Sequence, residues 1–134
     1  MRSLLLASLA LLSLDASAQN WQSIGEAHQG TMYLDISSIR QQGKFLKAWS
    51  KWVANETQQN EFSLGKPYKV TQTLHYYDCE SLTVAQKQIV LFDDDVARNT
   101  VTSEYRKDSQ LDFRDPVPGT FGDSLTRRVC RTKR

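Results

Sequence analysis

The chain is poor in the side chains that carry most enzyme chemistry. Among its 134 residues are two histidines, His28 and His75, and neither sits in a zinc-ligand spacing such as His-x-x-x-His. His75 lies on an alternating stretch and reads as a half-exposed sheet residue rather than a ligand. No serine occupies a nucleophile elbow, and no glycine-rich loop fits a phosphate. Asp93-Asp94-Asp95 invites a calcium reading, which requires alternating ligands and a later bidentate carboxylate. Val96, Ala97 and Arg98 follow instead, so a solvated turn is expected. With no acid–base pair visible, neither an enzyme nor a bound cofactor or metal is expected. A large excess of either charge is also missing. Seventeen basic residues face fifteen acidic ones, a net charge of +2, which is too mild to argue for nucleic acid. Beyond residue 14 no apolar run approaches the roughly 20 residues that a membrane span requires.

What is present begins at the N-terminus. Met1-Arg2-Ser3 is a short basic start, and Leu4 to Leu14 is apolar. Ala16-Ser17-Ala18 then offers a small-x-small cleavage site, so residues 1–18 read as a signal peptide and 19–134 as the mature domain. The chain is thus expected to be exported, into the periplasm first, with the cell surface as the alternative. Removing the signal leaves 116 of 134 residues, enough for one small domain. Cys79 and Cys130 are the only cysteines. In an oxidising compartment an even pair is expected to bridge, and the absence of Cys-x-x-Cys argues against a redox role.

The mature chain reads as short strands followed by one helix. Strands are expected over 20–26, 31–36, 45–55, 68–79, 82–92 and 101–106, from alternating or β-rich runs bounded by turn residues. Ser37-Ser38-Ile39 suggests a tight or single helical turn, and Gln41-Gln42-Gly43-Lys44 a hairpin turn. The third strand, apolar in both phases, belongs in the middle of the sheet. Residues 56–65 and 107–118 read as polar connections. Thr120 is a plausible N-cap with Asp123 three residues on, and Phe121, Leu125 and Val129 form one apolar helix face. A Cys79–Cys130 bridge would pin that helix to the sheet. The expected fold class is α+β: an antiparallel six-stranded meander with a C-terminal helix packed on it and disulfide-linked.

Several residues carry a family resemblance. They run in order: Trp21, then Tyr33-x-Asp35-x-x-Ser38-Ile39, and Trp49-x-Lys51 after a glycine turn. Tyr77-Asp78-Cys79, Phe92-Asp93, Pro118-Gly119-Thr120 and Val129-Cys130 complete the series. This pattern resembles the surface-adhesin protein E family of Gram-negative bacteria across the mature chain. The resemblance implies an antiparallel sheet with a disulfide-linked C-terminal helix, homodimers, and binding of host-matrix proteins by a lipid-anchored member. This sequence departs from that member in having no lipid-attachment cysteine.

The one concentrated charge is Arg127, Arg128, Arg131, Lys133 and Arg134. It reads either as an anion patch for an acidic protein or polysaccharide, or as an ordinary solvated helix end. Lys47 and Lys51 would extend a basic stripe if their face is open; Trp49 and Trp52 would mark a binding or dimer surface, although at least one of them is expected in the core or between sheet and helix. The function expected is non-enzymatic binding of host-matrix or envelope components. The alternative is a periplasmic accessory or structural protein.

Overall fold

A computed structural model describes residues 18–132. Seven strands, β1 (Trp21–Ala27), β2 (Gly30–Asp35), β3 (Arg40–Gln42), β4 (Phe45–Gln58), β5 (Tyr68–Asp78), β6 (Thr83–Phe92) and β7 (Thr100–Tyr105), precede one helix, α1 (Phe121–Arg131). All pairings are antiparallel, in the order β1-β2-β4-β5-β6-β7, with β3 also on β4. The meander and its terminal helix match the sequence reading. The signal-peptide reading of 1–18 falls almost wholly outside the described residues.

The seventh strand arises from a jog in the chain. β2 pairs with Ser50–Ala54 and β3 with Phe45–Lys47, so both lie end to end along one edge of β4. A 3-10 turn over Ile36–Ser38 makes the jog. Asp35 caps that turn, accepting from the Ser37 backbone N–H at 3.0 Å and from its hydroxyl at 2.6 Å. The Ser38 hydroxyl donates to the Asp35 carbonyl and accepts from the Trp49 N–H, so the turn is stitched to β4. Gly43 closes the β3–β4 hairpin at φ 58°, the left-handed region where a side chain is disfavoured. Gly30 answers a different demand: a Cβ there would collide with the Val53 carbonyl and the Trp52 ring.

Side chains alternate across the sheet, and α1 covers one face. Leu34, Leu46, Ala48 and Tyr77 from the strands meet Leu125 and Val129 from the helix, all nearly or fully buried. A register shift between Ser23 and Gly25 in β1 accompanies Ile24's packing against this core. The Trp52 ring lies 5.6 Å from that of Phe121. The Cys79–Cys130 disulfide ties the end of β5 to the last turn of α1, with a Cα–Cα distance of 5.4 Å.

The connection over 107–118 is more structured than its polarity suggests. It holds a 3-10 turn at Asp108–Gln110, and Arg114 bridges Val84 at the edge of β6. Phe113 lies 4.6 Å from Phe45, covering one end of the sheet face opposite the helix. Phe113, the Arg114–Val84 bridge and the Asp108–Lys87 ion pair together anchor it. β4 also continues to Gln58, three residues beyond the expected end.

Candidate functional site

The basic cluster is built on the outer side of α1. Thr120 caps the helix by accepting from the Asp123 N–H at 3.4 Å. The return bond of a capping box is displaced by one residue, because the Asp123 carboxylate accepts from the Gly119 N–H rather than from Thr120. Asp123 also takes the Arg127 guanidinium at 2.9 Å, one helical turn on. These bonds, the Gly119 N–H first and Arg127 second, hold the Asp123 carboxyl below its ordinary range.

Arg127, Arg128 and Arg131 converge with Ser23, Ile24 and Ser124 on a cleft of about 570 Å3 between α1 and β1. The buried face of the helix (Leu125, Thr126, Val129) fixes this orientation by turning the arginines outward. Arg128 reaches across to the Gln22 side chain at 3.4 Å, a weak tie between helix and edge strand. Arg128 and Arg131 also lie in the last turn, where positive charge suits the helix dipole. Lys133 and Arg134 lie outside the described residues. The contribution of β1 could not be read from the run of arginines, since Gln22 and Arg128 are 106 residues apart.

Lys47 and Lys51 do not join this cluster. They alternate with the buried Leu46, Ala48 and Ser50, which places them on the sheet face away from the helix. Trp49 shares their face, whereas Trp52 stacks on the helix side.

The histidines separate in role. His28 lines a polar cleft of about 500 Å3 with Gln29, Asn55, Glu56 and Gln58. His75 is half-buried on β5, as an alternating strand position leads one to expect, with its Nδ1 enclosed. Burial pushes its pKa down to about 4, so the ring is neutral near pH 7. It faces Tyr77 with ring centroids 6.0 Å apart. Neither His75 Nδ1 nor the Tyr77 hydroxyl has a hydrogen-bond partner among the described residues. The aspartate run is divided among separate tasks: Asp94 accepts from the Arg98 N–H, and Asp95 pairs with Lys69 at 3.3 Å. Among the described residues, no three His, Cys, Asp or Glu side chains are grouped to hold a metal.

A family model described as surface-adhesin protein E matches residues 21–131, from the first residue of β1 to the last of α1. The chain belongs to the surface-adhesin protein E family. Two solved structures share its fold. Haemophilus influenzae protein E in its crystal form II is 10% identical, with a TM-score of 0.56, over 75% of this chain and 80% of that one. Protein E from non-typeable Haemophilus influenzae is 11% identical, with a TM-score of 0.57, over 81% of this chain and 75% of that one. No curated protein matches the sequence. The family makes this a surface-adhesin-like protein, and no helix among its described residues is long and apolar enough to cross a membrane.

Proposed function

We propose that this adhesin E family member is an exported, non-enzymatic binding protein that recognises an acidic host-matrix or envelope component through the arginine cleft. The observation that carries the reading is the convergence of Arg127, Arg128 and Arg131 on one cleft beside β1. Arg127 has a carboxylate partner, yet its side chain remains 70% exposed, so a bidentate acidic group can still reach it. Ser23 and Ser124 add hydroxyls to the same walls. The test is retention on heparin. Replacing all three arginines with glutamine is expected to move elution to distinctly lower salt, because each released counterion steepens the salt dependence. Equal elution of variant and parent would make the cluster an ordinary solvated helix end.

Both cysteines lie in the disulfide, and this favours a second reading for location. A bridge of this kind suits an oxidising compartment, and in this second reading the protein is a periplasmic accessory that binds another envelope component. Protease shaving of intact cells distinguishes the two. Loss of an epitope tag while a periplasmic marker survives supports surface display. Survival of both until the outer membrane is opened supports the periplasmic role.

A further inference from the structure

The face of the sheet opposite α1 has its own chemistry. β4 sets Lys47, Trp49 and Lys51 in alternate positions, all half-buried. Lys51 is paired across the ladders with Tyr33 of β2 and Gln72 of β5, and Trp49 with Leu74. The Lys51 ammonium lies 4.4 Å from the centroid of the Trp21 ring and 5.3 Å from that of Tyr33. Two aromatic rings therefore hold one cation over the sheet. Among the described residues neither Lys47 nor Lys51 makes an ion pair. The nearby Asp35 accepts N–H and hydroxyl donors from Asn20 and Ser37 on its Oδ1 and forms no ion pair with Lys51. Burial holds the Lys51 ammonium below its ordinary range, with Asp35 opposing that shift.

We propose that this open face binds an extended acidic polysaccharide, with Trp21, Tyr33 and Trp49 lying against sugar rings and Lys47 and Lys51 pairing with its carboxylates or sulfates. The occupant follows from complementarity of charge and shape. Two cations without ion-pair partners attract an anion, and rings beside them offer apolar area to the C–H faces of sugars. The clefts beside α1 and at the β1–β2 turn open elsewhere, and the cleft beside Phe45 lies at the end of this face that Phe113 covers, beyond Lys47. A protein partner gains most from anchors in desolvated pockets, whereas a flat face suits a ribbon-like polymer. At about 3.4 Å per residue, Lys47 and Lys51 stand about 14 Å apart with Trp49 between them, a spacing for successive charges on one chain.

This site is independent of the arginine cleft, and the experiment keeps the two apart. Chondroitin sulfate is titrated into protein already carrying Arg127→Gln, Arg128→Gln and Arg131→Gln, and acrylamide quenching of tryptophan is measured. The polymer is expected to shield Trp21 and Trp49, while neutral dextran leaves quenching unchanged. Adding Lys51→Gln should weaken half-saturation about fivefold, the scale of one cation contact, and Lys51→Arg should restore it. If Lys51→Gln melts early, Lys47→Gln gives the same readout without disturbing the ring contacts of Lys51. Absence of shielding overturns the proposal, as does equal shielding by dextran or indifference to both lysine changes. Sedimentation as a dimer that already shields these tryptophans, with no further change on adding polymer, would assign the face to a second copy of this chain.

Discussion

At the scale of single residues, the sheet-to-helix side holds one group whose ionisation opposes folding. His75 on β5 has its folded-state pKa depressed from 6.5 to about 4 by burial. The unfolded chain therefore binds this proton more readily than the folded one. Stability from the neutral ring is fully present above pH 6.5 and is lost as pH falls toward 4. The depression amounts to about 3 kcal/mol at that lower limit. Urea unfolding across pH 4–7 should show the decline, and His75→Gln should flatten it. An equal slope in the variant would mean that carboxylates alone set the acid limb. His28 stands exposed at the polar cleft, so the pair shows how little sequence says about a histidine's surroundings. Both occur once in a polar or alternating context, and only the strand pairing buries one of them.

At the scale of elements, the helix depends on two kinds of attachment. Leu125 and Val129 seal the core, and Cys130 ties the last turn to Cys79. The disulfide closes a separation of 51 residues, worth roughly 4 kcal/mol in the chain-entropy account. Reduction should therefore lower the melting temperature well beyond experimental error, while Leu125→Ala should cost about 3 kcal/mol with the bridge intact. An unchanged melt on reduction would show that core contacts alone hold the helix. These attachments were legible in the sequence because Thr120, the Phe121-Leu125-Val129 stripe and the cysteine pair are local signals or follow from compartment. β3 was not legible as a strand: Arg40-Gln41-Gln42 is polar and exposed throughout, and pairs only because the capped turn at Asp35 redirects the chain along β4. Phe113 gave no periodic signal either, and its place depends on the distant Phe45. The candidate site divides in the same way. The three arginines could be read from the helix pattern. Ser23 and Ile24, and the Trp21–Lys51–Tyr33 arrangement on the other face, depend on strand register that no local spacing encodes.

At the scale of the whole molecule, the question is whether anion binding would come from the field of the chain or from one place on it. A net charge of +2 over 134 residues is a weak source of long-range attraction, and salt near 0.15 M screens it within about 8 Å. Placement must then decide. Converting Arg127, Arg128 and Arg131 to glutamine takes the net charge from +2 to −1. Converting the exposed Lys66, Arg98 and Lys107 to glutamine makes the same change, yet none of these three lines the cleft. If the cleft recognises acidic groups, the first variant should elute from heparin at distinctly lower salt and the second close to the parent. Matching losses in the two variants would show that overall charge governs the interaction, and the convergence of arginines beside β1 would then have no bearing on binding. The comparison is fair because the second set lies on loops or at element ends rather than in the sheet core, so both proteins should fold alike. Equal melting temperatures would verify that before any column is run.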